Sequence, residues 1–587
     1  EMRGLALLLL ALNSLHAFKF VPLSSPTRRR SHVYRAVGRP PALQPQTAPL
    51  RMTVMKEVSV AQDKLKEEVK VLVVGAGPGG LGAALEMDKV LSEMQQVQRY
   101  KITVLERADS ISAYDPNKGF MYLISGKGLA FTDRHNLTPL LNERGVDGSV
   151  LNGNRIDTSG KISKVKFNFS PAVDNKVPRW ITRNEFNSLL GDAVMLRPNI
   201  AVRTSCELVD LHTTKLASPA PLNARVRSLQ TGEEEVLENF DLVIGADGLK
   251  SRVRELLIEW DKQEETVKES NRGEFTSRFE MEEVFSPAGG LRYKVLKLEP
   301  SFPVAESLEN QTKVVAVPEE TYFFVSKYTG KDPKLDTRLG ILPRKGVDGY
   351  RTANVITKPD HRVWNDPKLF TYDGMKNFLE DCFPQVLWDE VVKKEELERF
   401  AKSEGGRFPF PQTTRGGASH LVKGHESVAG VVLLGDALHA FPPDLGQGVN
   451  SALADALSLG RKIEEQAPLT AANFATALRS YETHAVAESK ALIRLMQIGS
   501  PYQYNQPGFF DKLAASCMLA NLLFRDLLSS IPLLGGRIFF PQASRLTRYA
   551  GRWSYQEMLR KANLTTKSIF GTLAVMFASF LFFAKPF

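Results

Sequence analysis

Three glycine-rich blocks hold the residues of this 587-residue sequence whose types and spacing have a definite chemical use: GAGPGG at 75–80, GADG at 245–248 and GDALHAFPPDLGQGVN at 435–450. In the first, Gly75 permits a tight turn and Gly77 lets the backbone approach a pyrophosphate. Gly80 lets a helix pack closely on a strand, and Pro78 and Gly79 complete the turn. Glu106 closes the apolar run KITVL and is placed to accept hydrogen bonds from adenosine ribose hydroxyls; an acid there disfavours a 2′-phosphate. In the third block Asp436 can bond a ribityl or phosphate edge. After Pro443, the residues Gly446, Gln447, Gly448 and Val449 offer bare amides at a helix N-terminus, and Asn450 offers both a donor and an acceptor.

These residues work only if regular elements position them. VKVLVV (69–74) reads as a buried strand, and LGAALEMDKVLSEMQQ after the glycines as a helix whose free N–H groups and positive dipole end face the phosphates. The glycines and Glu106 are separated by more than the usual ~20 residues, which extra helical turns within Met87 to Arg99 explain. DLVIG before Asp247 and Gly248, and VVLLG before Asp436, repeat the strand-to-turn pattern. The dipole of the helix after Gly446 would stabilise an anionic reduced flavin ring by up to ~2 kcal/mol.

The predicted fold class is therefore α/β: a Rossmann-type FAD-binding domain assembled from separated segments, with an inserted strand-rich substrate domain and a C-terminal helical region. The FAD-binding segments are placed at 67–150, 236–260 and 420–485, and the substrate domain at 151–235 and 261–419. Runs such as KVKFNF (164–169) and TYFFVSKY (321–328) supply its strands. The charged stretch 261–283 reads as a solvated insertion. Residues 486–566 form the helical C-terminal region.

Of the formal charge of +10, eight positive charges fall between Phe18 and Lys56, a stretch without Asp or Glu. The basicity thus belongs to a leader, and no nucleic-acid partner is expected. Arg3, the apolar run Leu5 to Leu12 and the small or polar residues to Ala17 have the order of a signal peptide (1–17); 18–66 is Ser/Pro/Arg-rich, like a transit peptide or a basic linker. The series resembles the bipartite leaders of complex-plastid algae, so a membrane-associated plastid address is expected, with an endomembrane or the mitochondrial outer membrane as alternatives. The uncharged run 569–584 within 567–587 reads as a hydrophobic tail anchor, although it is shorter than the ~20 residues of a full span. The apolar stretch 513–540 fits an amphipathic surface patch or a helix pair packed on the body. Cys206, Cys382 and Cys517 fit neither a disulfide framework nor a zinc spacing and read as buried thiols. No metal site is expected: His439 has no ligand at a suitable spacing, and His420 and His425 read as surface residues. No GxSxG elbow or Walker motif is present, against serine-hydrolase and P-loop chemistry.

The three blocks in this order, with FPQVLWDEVV (383–392), SPYQYN (500–505), RLTRYAGRW (545–553) and the hydrophobic tail, resemble the flavoprotein aromatic hydroxylases, nearest to the kynurenine 3-monooxygenases. The resemblance implies hydroxylation of a small aromatic, kynurenine-like acid with O2 through a flavin hydroperoxide on bound FAD. NAD(P)H would be a transient co-substrate, in keeping with the absence of a second glycine fingerprint. It places the family's carboxylate-binding arginine on Lys127, which keeps the charge without the bidentate fork; a solvated loop lysine is the other reading. It also gives Asn450 a substrate-facing role, and the role of a substrate-facing tyrosine to Tyr502 or Tyr504. Within the same superfamily, an epoxidase or reductase acting on a carotenoid or prenyl lipid is the alternative. From another class comes a non-catalytic flavoprotein-fold protein that binds prenylated partners, against which the GD and GQG residues stand.

Overall fold

A computed structural model describes residues 68–583 except 95–98, 114–118, 169–175, 214–221, 268–274, 308–311, 330, 333, 347–348, 424–427, 444, 500–508 and 550. The leader, Tyr502 and Tyr504 lie outside the described residues.

The apolar strand Glu68–Val74 is the centre of a six-stranded sheet ordered Ser419–Lys423, Val428–Leu433, Leu242–Gly245, Glu68–Val74, Arg99–Leu105, Ile200–Arg203. All pairings are parallel except that of Ser419–Lys423. Val73 lies between Ile244 and Val104 in register, and the run Val71 to Val74 is buried. Strands apolar on both faces must be covered on both, as parallel sheets are. The helix Pro78–Glu93 does this on one side, burying Leu81, Ala84, Leu85 and Leu91 and packing on the helix Gly448–Glu464.

The chain leaves the central strand in both directions. Arg99–Leu105 and Ile200–Arg203 extend the sheet one way, and Leu242–Gly245 and Val428–Leu433 the other. Such a reversal opens a crevice at the carboxyl ends of the strands. All three glycine blocks begin at those ends.

A seven-stranded, largely antiparallel sheet carries Gly406–Arg407, Arg292–Leu298, Arg351–Thr357, Arg338–Ile341, Thr321–Phe324, Val150–Ile156 and Ile162–Asn168, in that order. Its apolar face buries Leu296, Phe324, Val355, Phe378 and Phe400 with the helices Tyr372–Cys382 and Lys394–Lys402. Arg351, 1% exposed, donates to the carbonyls of Pro300, Val317, Glu320 and Leu342, so a buried cation gathers loops that would otherwise leave polar backbone unpaired.

The 261–283 stretch is not the solvated insertion expected. The helix Arg252–Val267 runs into it, Ser277 and Phe279 are fully buried, and Arg278 reaches Glu482 at 2.8 Å. Charge density misled there because the charged side chains flank an aromatic anchor. Cys206 and Cys382 are buried free thiols, and Cys517 is half-buried.

The C-terminal region is helical: Phe509–Ser529, Ala543–Tyr549 and Tyr555–Phe583 follow the long helix Ala471–Gly499. Arg525 ties the first to the last through the Ala562 carbonyl at 3.1 Å and Thr566 Oγ1 at 2.6 Å, while Leu519, Leu523 and Leu527 stay exposed at helical spacing. The tail-anchor reading is corrected here: among the described residues no helix is long and apolar enough to cross a membrane. The apolar run continues a helix whose earlier turns carry Glu557, Arg560 and Lys561 and pack on the body through Met558 and Ala562. Membrane association through the tail is therefore without support.

A Cβ on Gly80 would stand 1.8 Å from the Gly75 carbonyl oxygen, whereas one on Gly571 would meet nothing within 4 Å. Gly80→Ala is expected to destabilise the protein by about 3 kcal/mol or to prevent folding. Gly571→Ala, in an exposed helix, should be neutral or stabilising by up to about 1 kcal/mol. Urea unfolding midpoints check both; an unchanged midpoint for Gly80→Ala would contradict the close approach.

Candidate active site

Backbone closeness builds the crevice. Gly75 has φ +101°, and its missing Cβ would lie 2.5 Å from the Ala246 oxygen, so the first block can touch the second only as glycine. The Leu434 N–H donates to the Gly245 oxygen at 3.0 Å, joining the third block to the second. Arg254 spans the same junction: 9% exposed, it donates to the carbonyls of Ala437 at 2.7 Å and Leu249 at 2.6 Å, and burial lowers its pKa.

Within this frame Gly77, Gly248 and Gly448, one from each block, have nothing within 4 Å of the position a Cβ would take. They form a bare surface that a bound group can approach to backbone distance. Asp247 caps the helix Arg252–Val267 by accepting from the Arg252 N–H at 2.7 Å and the Val253 N–H at 3.2 Å with one oxygen. Among the described residues its other oxygen is buried without a hydrogen-bond partner, and burial raises its pKa. Glu106 accepts from the Ala76 N–H at 2.8 Å and the Ala108 N–H at 2.9 Å, which fixes its carboxylate against the first glycine turn. A bare three-glycine surface, an unsatisfied buried acceptor and an acid at the second strand end suit FAD. Gly75, Gly77, Pro78, Gly79, Gly80, Glu106, Asp247, Gly248, Gly435, Asp436, Pro443, Gly446, Gln447, Gly448 and Val449 would hold it.

Asp436 is open to water at the crevice, yet enough protein surrounds it that burial raises its carboxyl; His439 and Arg183 oppose the shift. Burial likewise drives the Tyr122 phenol up to about 12, with Arg183, Asp436 and Tyr293 close by. Arg183 and Tyr122 were missed by sequence reasoning. Arg183 opens the helix Arg183–Met195 directly after a strand, a place where one arginine carries no pattern. Tyr293 comes from the seven-stranded sheet, so only the fold brings it to this corner.

His439 is not a metal ligand but the partner of Asp455, at 2.7 Å. Burial works against its charged form, and the Asp455 carboxylate outweighs this, holding the imidazole above its ordinary pKa. Asp455 also accepts from the Gly435 N–H at 2.9 Å, so the buried pair sets the turn that presents Asp436. Among the described residues no group of three His, Cys, Asp or Glu could hold a metal ion.

The expected substrate or ring-edge role of Asn450 is corrected. Fully buried, its Oδ1 accepts from the Ser125 N–H at 2.9 Å, and its Nδ2 donates to the Leu123 oxygen at 2.8 Å and the Gly446 oxygen at 2.9 Å. With both N–H groups used, the side chain clamps the GQG turn to the 123–125 segment. Lys127 is half-buried, with Nζ 5.5 Å from the centre of the Tyr555 ring. Pro443 is exposed at its turn, and Val449 is buried.

If the bare glycine surface is the cofactor cradle, Gly77→Val should fold with stability within about 0.5 kcal/mol of wild type, since the Gly77 backbone at φ −73° suits any residue. It should nevertheless lose most FAD. Absorbance of the purified variant and its denaturation midpoint check this; full flavin content would contradict the cradle.

Comparison with known proteins bears on this geometry. The FAD binding domain family matches residues 384–495. The monooxygenase penA of Penicillium thymicola is 35% identical over 423 residues, covering 68% of this chain and 85% of that protein. A kynurenine 3-monooxygenase of Cryptococcus neoformans is 23% identical over 451 residues, 73% of this chain and 76% of that one. The crystal structure of aklavinone-11 hydroxylase with FAD and aklavinone superposes with a TM-score of 0.48 at 18% identity, covering 74% of this chain and 68% of that one. With identity of this extent along most of both chains and a crevice built for FAD, the protein belongs to the FAD-dependent monooxygenase family.

Proposed function

We propose that this monooxygenase hydroxylates a small, electron-rich aromatic acid, kynurenine-like in size and charge, with O2 and NADPH as co-substrates. Bound FAD would supply the electron transfer from NADPH and the activation of oxygen. The protein's part is to hold the acid, keep the reacting corner dry and set its charges.

The observation that carries the choice of an acid is Lys127. Burial lowers its pKa, which Glu488 and Glu557 offset only in part; among the described residues it forms no salt bridge, and its Nζ faces the Tyr555 ring at 5.5 Å. A desolvated cation whose nearby carboxylates make no direct contact with it is costly unless a ligand supplies one that does. It stands at the start of the helix Gly126–Arg134, whose cap residue Ser125 is fastened by Asn450 to the GQG block, so the turn that carries the charge is joined to the crevice. The kynurenine 3-monooxygenases among the relatives support the same substrate class.

Anaerobic mixing of the full chain with NADPH tests the reaction. Flavin bleaching should accelerate with an aromatic acid such as kynurenine, and hydroxylated product should form in air; acceleration by a carotenoid alone would overturn the acid reading. For Lys127→Met, KM for the acid should rise about ten- to hundredfold, the worth of a charge-assisted hydrogen bond. The pH dependence has a definite sign. Because the Lys127 pKa is lowered, its charge is lost below the ordinary lysine range. The wild-type KM should therefore climb on the alkaline side, while Lys127→Met should be flat there. Identical pH profiles would remove Lys127 from the site.

A further inference from the structure

The C-terminal helix reaches the GQG turn. Tyr555, 2% exposed at the start of Tyr555–Phe583, donates its hydroxyl to Gln447 Oε1 at 3.0 Å. Gln447 is 1% exposed and occupies the cap position of Gly448–Glu464, the helix whose N-terminus faces the cradle. Its Nε2 folds back toward the Leu445 oxygen at 3.4 Å, and its own carbonyl accepts from the Ser451 N–H at 2.8 Å. Three arms thus fix the residue, and the tyrosine is the one from outside the turn.

The tyrosine is itself held. Glu488, on the long helix Ala471–Gly499, accepts from the Tyr555 N–H at 2.7 Å, the Gln556 N–H at 3.2 Å and the Gln556 side chain at 3.1 Å. A carboxylate on the first N–H groups of a helix is a strong anchor. At Gly551 a Cβ would lie 2.8 Å from the Gly126 oxygen, so the segment leading into the helix is pressed on the turn that carries Lys127. Burial and the nearby Glu488 and Asp455 keep the Tyr555 phenol well above its ordinary pKa, so it stays a donor.

The geometry points to Tyr555 as a positioning residue of the flavin site: by holding the Gln447 amide it aims the Gln447 and Gly448 N–H groups at the cofactor, the Gly446 N–H being spent on the Pro443 oxygen at 3.1 Å, and so makes the C-terminal helix part of the reaction machinery. The GQG turn is then gripped from two sides, by Asn450 toward residues 123–125 and by Tyr555 toward the last helix. Loosening one grip lets the amides that stabilise negative charge reorient. That changes the electronics of the bound group rather than the affinity for substrate.

The proposal rests on FAD occupying the crevice, and its test uses the full chain with FAD bound. Tyr555→Phe removes one oxygen and keeps the ring under Lys127. Expected are retained flavin, a shifted flavin spectrum and midpoint potential, reduction by NADPH slowed about tenfold, and an unchanged KM for the aromatic acid. Gln447→Leu removes the acceptor instead and should reproduce the slowing. The double variant should be no slower than either single one, because both break the same bond. Unchanged potential and reduction rate in Tyr555→Phe, or losses that add in the double variant, overturn the proposal. Should Tyr555→Phe not fold, Gln447→Leu carries the test, and wild-type potential and rate in it overturn the proposal. A wild-type chain that takes up no FAD would overturn the FAD reading and this proposal together, whereas the other negative results leave that reading standing.

Discussion

The approach of the Gly75 turn to the Ala246 carbonyl is the interaction on which the site depends. A side chain at 75 would push the first glycine block off the second, and one at 80 would force the first block itself open, since the missing Cβ atoms would stand 2.5 Å from the Ala246 oxygen and 1.8 Å from the Gly75 oxygen. With glycine there, the turn after Glu68–Val74 stays against the turn after Leu242–Gly245, and the Leu434 amide locks the third block alongside. Three segments distant in sequence become one surface. No cofactor contact is needed to explain the glycines that touch protein, nor Gly248, whose φ of +83° favours glycine; Gly77 and Gly448, which have open space beside them, are the ones left to a ligand.

Charge in the crevice follows from that packing. Asp247 and Asp436 are both held above their ordinary carboxyl pKa by burial, and Arg183 and His439 are the cations set against Asp436. Behind the turn, Asp455 pairs with His439 and with the Gly435 amide, burying its charge on two hydrogen bonds. Fixed dipoles and paired charges of this kind do not reorganise when a cofactor changes its charge.

The parallel sheet, its glycine turns and Glu106 were legible because each leaves a local trace: an apolar run, then glycines, then a helical pattern. The strands of KVKFNF and TYFFVSKY were legible for the same reason and lie in the seven-stranded sheet. What escaped depends on long-range contact. Asn450 looked like a ligand residue because it follows GQG, yet its hydrogen bonds go to residues more than three hundred positions away and to its own turn. Arg183, Tyr122, Tyr293 and Tyr555 come from elements whose own sequences say nothing about one another. The buried anchor Phe279 was hidden by the charges around it.

The most direct test of the central claim, that three glycine turns form one FAD cradle, is a titration of the purified full chain with FAD followed by visible absorbance and flavin fluorescence. Saturable uptake of one FAD per chain is expected, with a perturbed flavin spectrum and quenched or shifted emission. A folded chain that stays colourless and leaves FAD unchanged at every ratio would contradict it.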